Sequence, residues 1–326
     1  MSFLEQFRDK DIYLVTDADF DGVSSHIVAK LHLEPIVRTF LYTLTFDRDM
    51  SEFMMEYANK SEIIIFVDIA PTVDLYNKLK ELKKEIFIFD HHITSYTDLQ
   101  STVESNYFFT EEKCGAKIFF DELTSGQRKR KVEFQYIQLV DTYDRWQQQS
   151  LLWKDAVKLQ DIMYEYINWF DDRLTDNTKY IPFIQAQLDK MSNAKKFYFT
   201  VYEEKLAIQV ETKKKKNLEI ARKSLKIRKD DSGNKYGYFE CNSKLSIIGN
   251  TILSEYSDLK YIIGHSTFLE KYKNTPNGKI SIRSNEGFKV NVIAELWGGG
   301  GHPQSSGADI PLKEFENFRK GNIHLI

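Results

Sequence analysis

DIYLVTDADFDGVSSHI, residues 11–27, is the stretch whose reading decides the fold. An apolar run, IYLV, ends in three acids at alternate positions, Asp17, Asp19 and Asp21, followed by Gly22 and a stretch with helical spacing. Alternate residues of an extended chain point the same way, so three carboxylates can face one point. Like charges so placed repel, and the cluster requires something positive beside it. A strand that runs through an acidic turn into a helix is also the opening of an alternating strand–helix domain.

The pattern continues outward from that stretch. IVRTFLY (36–42), EIIIFVDI (62–69) and EIFIFD (85–90) read as strands rich in branched and aromatic residues. Between them lie a polar helix-like stretch and PTVDLYNKLKELKK (71–84), where Pro71 and Thr72 suit a helix start. The alternation predicts an α/β fold: an N-terminal parallel sheet with helices on both faces over residues 1–150. Residues 151–195 read as a helical linker. Residues 196–326 read as a smaller mixed α/β domain, with FYFTVY (197–202), KLAIQV (205–210), YGYFEC (236–241), YIIGHSTF (261–268) and KISIRS (279–284) as strands. KLSIIGNTILSEY (244–256) and VNVIAEL (290–296) carry helical periods. The lysine-rich run 213–229 reads as a solvated helix face, with a nucleic-acid groove as the alternative.

Acids recur at the strand ends. Asp68 ends one strand, and Asp90 ends another and is followed by His91 and His92. Ligands of a parallel α/β sheet bind beyond the carboxyl ends of its strands, so these residues gather at one edge with Asp17, Asp19 and Asp21. Asp141, in YIQLVDTYDRW (136–146), can reach the same edge. Carboxylates and imidazoles without thiolates suit a hard divalent cation such as Mn²⁺ or Mg²⁺, with Zn²⁺ a further option. So many acids point to two ions, which in such sites stand about 3.5–4 Å apart. Taken singly, Asp17 or Asp21 reads as a helix cap, and Asp68 as the cap of the following helix. The coincidence of three acid-bearing strand ends outweighs those separate readings.

Composition bounds the partners. With 45 basic and 48 acidic residues the net charge is −3, so no broad basic surface for long nucleic acid is expected. Two cysteines, Cys114 and Cys241, make no disulfide framework or thiolate metal site and suit a reducing compartment. The start carries no secretory pattern and no run suits a bilayer, so the expected location is cytoplasmic, with no membrane partner.

DADFDG, VDIA, FDHH and LVDTYDRW, in that order and spacing, together resemble the DHH phosphoesterase superfamily. The segment GKISIRSNEGFKVNVIAELWGGGGHPQSSGA (278–308) is similar to the nucleotide-binding signature of the DHH-associated C-terminal domain. The resemblance runs from about residue 11 to 310. It implies that Asp17 and Asp19 bind one metal and Asp21 the other, that Asp68 bridges both, and that His91 and Asp141 complete the set. Asp90 would steady its neighbours and His92 face the substrate phosphate, making Asp90, His91 and His92 the catalytic group. Many members place a histidine four residues before Asp19, where this chain has Val15. The DADFD form looks like the aspartate-rich version of RecJ-type exonucleases.

In the second domain the resemblance implies substrate binding by Arg283, Gly299, Gly300, Gly301 and His302. A glycine run brings backbone N–H groups close to phosphate, and an arginine offers a bidentate fork. Trp297 and Phe288 read as core residues, with base stacking as the alternative. The expected protein is therefore a two-metal, manganese-dependent phosphodiesterase with its active site in the inter-domain cleft. Its expected substrate is a short oligonucleotide or dinucleotide, cut to mononucleotides, as in the similar nano-RNases, and a homodimer is the expected assembly. Alternatives are cyclic-dinucleotide hydrolysis, a 3'-phosphoadenosine 5'-phosphate phosphatase, a single-strand DNA exonuclease, an inorganic pyrophosphatase, and a non-catalytic nucleotide-sequestering protein.

Overall fold

The computed structural model describes residues 3–45, 48, 52–103, 105–167, 177–241, 244–266, 277–311, 314, 317 and 320. They fall into two compact units, Met1–Ala207 and Ile208–Ile326.

The first unit is built on five strands, β1 (Asp11–Thr16), β2 (Thr39–Leu44), β3 (Ile63–Val67), β4 (Glu85–Asp90) and β5 (Tyr107–Phe109). All pair in parallel, in the order β2-β1-β3-β4-β5. Both faces are buried, as a parallel sheet requires. Ile12, Leu14, Ile63, Ile65, Phe87 and Phe89 point into one core; Tyr13, Val15, Ile64, Phe66, Ile86 and Ile88 point into the other. Helices α1 (Phe20–His32), α2 (Glu52–Asn59), α3 (Val73–Glu81), α4 (Ile93–Leu99), α5 (Gly115–Leu123) and α6 (Lys131–Asp144) connect and cover the strands. Thr72 caps α3 by accepting from the Leu75 N–H at 3.3 Å, which leaves Asp68 free of that task. Successive strands leave β1 on opposite sides, to β2 and to β3, so the sheet's switch point lies between β1 and β3. Ligands bind outside the carboxyl ends of the strands at such a point.

Two expectations are corrected here. The stretch 151–195 is helical where described, as α7 (Trp153–Tyr166) and α8 (Ile181–Asn193), with residues 168–176 outside the described set. It is not a free linker: Ala156, Leu159, Ile162, Met163, Phe183, Ile184 and Met191 are buried in the first unit's core. KLAIQV is not a strand, and neither is FYFTVY. A single helix, α9 (Val201–Ser224), begins inside the latter and runs through the former, and the division between the units falls within it. Thr200 and Glu203 form a capping box, Thr200 N–H donating to Glu203 Oε2 at 2.7 Å and Glu203 N–H to Thr200 Oγ1 at 3.2 Å. Glu203 is also buried with Lys190, whose Nζ lies 2.7 Å away, so tertiary pairing fixes this helix start. The strand series also continues past EIFIFD, since β5 adds an edge.

The second unit holds a six-stranded mixed sheet. Its strands are β6 (Lys226–Lys229), β7 (Lys235–Cys241), β8 (Tyr261–Ser266), β9 (Asn277–Ser284), β10 (Gly300–His302) and β11 (Ser305–Pro311), in the order β10-β11-β9-β8-β7-β6. The β7–β8 pair is parallel and the other pairs antiparallel. Helix α10 (Leu245–Glu255) covers one face with Ile248, Ile252 and Leu253, and α11 (Asn291–Glu295) the other with Ile293 and Ala294. The lysine run is helical to Ser224 and then enters the exposed edge strand β6. Thr267 and Phe268, read as the end of a strand, lie outside the described residues. No helix among the described residues is long and apolar enough to cross a membrane.

Candidate metal centre

The acidic turn after β1 is a sharp strand-to-helix junction. Asp19 is the N-cap of α1, its Oδ1 accepting from the Gly22 N–H at 3.0 Å. A Cβ on Gly22 would stand 2.0 Å from the Asp17 carbonyl oxygen, so only glycine lets the helix turn back so tightly on the strand. Asp21, one residue into the helix, is buried. Its two oxygens accept from Gly115 N–H at 2.6 Å and Ala116 N–H at 2.9 Å, the first turn of α5. The adjoining Cys114 N–H donates to Asp141 Oδ1 at 2.9 Å. The amides that a helix start leaves without intrahelical partners therefore hold two carboxylates from α1 and α6.

Asp68 follows β3 with φ +62°, a left-handed conformation that an aspartate adopts only at some cost. Its backbone is close enough to α5 that a Cβ on Gly115 would meet Asp68 Cβ at 2.8 Å. His91 Nε2 lies 3.2 Å from Asp68 Oδ1 and 3.4 Å from Asp144 Oδ2. Asp90, fully buried at the end of β4, accepts through Oδ1 from the His91 and His92 amides at 2.8 and 3.2 Å and pairs with His92 Nδ1 at 2.7 Å. It fixes both histidines, as carboxylates behind ligating imidazoles commonly do.

Potential donor atoms converge in three groups: Asp17, Asp19 and Asp68; Asp68, His91 and His92; Asp21, His91 and Asp144. Asp68 and His91 each belong to two. Of the sequence candidates, Asp17, Asp19, Asp21, Asp68, His91 and His92 are thus brought together. Asp90 stands behind the histidines. Asp141 is held at the Cys114 amide, with Arg145 Nη1 3.9 Å from its Oδ2, and is in none of the three groups. Asp144 occupies a place that sequence reasoning gave to no residue. Its signal was the three-residue step from Asp141, which on a helix puts both on one face.

The charges argue for a cation. Burial, and then repulsion from neighbours, pushes Asp17, Asp21 and Asp68 well above the usual carboxylate range; the leading neighbours are Asp19, Asp144 and Asp21 respectively. Burial also raises Asp141, against the Cys114 amide. Burial alone would lower His92, but its hydrogen bond to Asp90 and the surrounding acids hold it up to about 9. Burial likewise opposes an ionised Asp90, and the bond from His92 with the charges of His92 and His91 wins, keeping it below its ordinary value. The buried Oδ2 of Asp144 accepts no hydrogen bond. Several carboxylates sharing one buried place, with an unused oxygen, fit divalent metal binding.

In the second unit, His302 on β10 lies opposite Ser305 on β11, and Ser305 opposite Arg283 on β9. The three occupy one line across adjacent strands. Arg283 is half-buried, donating from Nη1 to the Ile282 and Ser306 carbonyls at 2.7 and 3.3 Å, and His302 is exposed. Gly300 and Gly301 belong to the β10 hairpin strand, and Gly299 leads into it. Phe288 stacks on Tyr261 at 5.1 Å, and both Phe288 and Trp297 pack on the core.

Comparison with known proteins gives the same two-part division. The DHH family N-terminal domain matches residues 11–142 and the DHHA1 domain residues 231–323. Oligoribonuclease NrnB of Bacillus subtilis is 22% identical over 319 residues, covering 94% of this chain and 74% of the relative. Among solved structures, the pGpG-specific phosphodiesterase PggH of Vibrio cholerae aligns with TM-score 0.55 at 15% identity, over 95% of this chain and 96% of its own. RecJ of Thermus thermophilus in complex with Mn²⁺ aligns with TM-score 0.58 at 14% identity, over 98% of this chain and 52% of RecJ. These structural likenesses establish the fold.

Proposed function

The chain belongs to the DHH superfamily of phosphoesterases and carries a C-terminal DHHA1 domain, and from that premise we propose that it is a two-metal phosphodiesterase that cuts dinucleotides and other short oligonucleotides to mononucleotides. The observation that carries this reading is that Asp68 and His91 each belong to two donor groups, so that Asp68 would be a carboxylate common to two cations. The ions, manganese in this proposal, would acidify the attacking water and neutralise charge developing on the phosphate.

The chain's own residues do the rest. Asp17, Asp19, Asp21, Asp68, His91 and Asp144 would hold the cations, with Asp141 beside them at the α5 amides. Asp90 orients His92 and favours its protonated form, in which the imidazolium can donate to a non-bridging phosphate oxygen. Arg283, His302 and the Gly299–Gly301 backbone bind the substrate's remaining phosphate or base. NrnB is named an oligoribonuclease and PggH a pGpG-specific phosphodiesterase, and both names fit a short substrate.

The test is a mass-resolved time course with Mn²⁺ on pGpG, a five-nucleotide RNA, a long single-stranded DNA, cyclic di-AMP and 3'-phosphoadenosine 5'-phosphate. A double variant, Asp90→Ala with His91→Ala, runs beside it. Fastest loss of pGpG and the short RNA, absent in the variant, is the expected result. Faster loss of the long DNA or the cyclic substrate overturns the assignment while leaving the metal centre intact.

A further inference from the structure

The helix that carries Asp141 and Asp144 ends in more aromatic surface than a helix terminus requires. After Asp144, Arg145 caps α6 and Trp146 takes φ +54°. At this position a helix ordinarily turns off through glycine or asparagine, because a bulky side chain is strained there. Trp146 is the one aromatic residue among the described residues whose φ lies in that region. Strain of this kind persists only where surrounding structure holds it, and it gathers at functional sites.

The holding structure is a set of rings. Trp146 meets Trp153 edge-on at 4.9 Å between centroids and Tyr143 at 5.7 Å. Tyr143 and Trp153 stack at 5.9 Å, their planes 6° apart. Tyr143 in turn meets Phe20, the residue between Asp19 and Asp21, at 5.8 Å. The cluster is thus tied directly to the acidic turn. Its three outer rings, Tyr143, Trp146 and Trp153, are only half-buried, and Leu151 beside them is fully exposed. A ring serving the core alone would be buried and would sit on relaxed backbone. Trp146 is neither.

We propose that Trp146, braced by Tyr143 and Trp153, is the stacking platform for a nucleobase of the substrate whose phosphate lies at the carboxylate centre. The inference rests on the phosphodiesterase reading and deepens it by assigning a base-binding residue within the first unit. Asp144, two residues before Trp146, reaches His91, and Arg145 between them faces Asp141. The ring therefore stands two residues along the chain from a carboxylate of the candidate metal centre, and its partner Tyr143 meets Phe20 in the acidic turn itself. Stacking is tolerant of base identity, since every base has a π-face. The platform therefore selects for nucleotides without selecting sequence.

The experiment compares Trp146→Ala, Trp146→Gly and Trp146→Tyr with the intact protein. Substrates are a dinucleotide and the same phosphodiester joining two abasic sugars, with binding of a methylphosphonate-linked dinucleotide measured separately. In the intact protein the dinucleotide has the lower KM by about tenfold, the equivalent of 1.4 kcal/mol, within the range for one stacked base. In Trp146→Ala and Trp146→Gly that ratio collapses toward one, and Trp146→Tyr restores most of it. Trp146→Gly has the higher Tm of the two, since glycine takes the left-handed φ freely. A loss confined to kcat, or an equal loss on both substrates, makes the residue structural and overturns the proposal. Should the intact protein cleave neither substrate, hydrolysis fails as a reading. The methylphosphonate dinucleotide still decides the platform: binding weakened about tenfold by Trp146→Ala sustains it, and unchanged or absent binding overturns it.

Discussion

The two sheets present their candidate sites under opposite physical conditions. At the carboxyl edge of the first, acids are buried against one another, one of them on strained backbone, and helix-start amides fix their orientation. On the second, Arg283, Ser305 and His302 line up across neighbouring strands, half-buried or exposed. The first edge is costly to fold without a cation, and the second is solvated at little cost. Function and stability therefore oppose each other in the first unit and separate in the second. Substitutions test that contrast directly.

The largest effect is expected from Asp68→Asn. Asparagine tolerates the left-handed φ and keeps the shape while removing the shared charge. Activity should fall by more than the ~10–100-fold that loss of a group behind the ligands costs, and bound metal, measured by elemental analysis, should drop with it. In chelator the same variant should melt higher than the parent, because one buried repulsion is gone. Full activity with reduced metal would break the two-metal reading.

Gly115→Ala comes next. Its methyl group would press on Asp68 Cβ and backbone at 2.8–2.9 Å, so the start of α5 has to move. Overpacking of this kind costs about 1–3 kcal/mol, more than the ~0.5–1 kcal/mol that alanine returns in helix preference. Melting with and without Mn²⁺ should show a larger deficit with metal, since the amides holding Asp21 and Asp141 shift together.

The pH dependence of the metal-free protein is smaller and has a definite sign. Asp17, Asp21 and Asp68 titrate above their unfolded value of 3.8, so the folded state binds the extra protons. Their contribution is complete below pH 3.8 and is lost as pH rises through the folded values. His26 on α1 acts in the other sense. Burial lowers it to about 3 from 6.5, so it draws stability down as pH falls from 6.5 toward 3. Subtracting the melting profile of Asp21→Asn from that of the parent isolates the acids. In chelator the difference should grow more unfavourable to the parent with rising pH, and saturating Mn²⁺ should abolish that trend.

How much of this was legible depended on whether the signal lay along the chain or across it. The apolar runs ending in Asp17, Asp68 and Asp90-His91-His92 carry their own direction, because strand period and strand end are both local. The sheet edge followed from them. Asp144 was missed because its role depends on which face of α6 meets His91, a tertiary fact. Cys114, Gly115 and Ala116 were missed because backbone amides leave no motif; only the orientation of α5 makes them carboxylate holders. In FYFTVYEEKLAIQV the density of aromatic and branched residues read as strand. The capping box of Thr200 and Glu203 and the buried Lys190 partner decided for helix. Trp146 was visible as a letter, but its backbone conformation was not.

The smallest effect on stability is expected at His302, and its value lies in that smallness. The residue is exposed on a three-residue strand. Replacement by alanine at such a surface position changes folding free energy by no more than about 0.5 kcal/mol. A donor to a charged phosphate is worth ~1.5–3 kcal/mol, so KM for a dinucleotide should rise roughly tenfold or more by the 1.4 kcal/mol equivalence. Metal content and the chelator melting profile should match the parent. Arg283→Ala should follow the same pattern with a somewhat larger stability cost, since its guanidinium also bonds two strand carbonyls. If either variant instead lost metal or melted several degrees lower, the contrast between the edges would fail. The glycine hairpin would then be a structural support, and substrate selection would rest with the first unit.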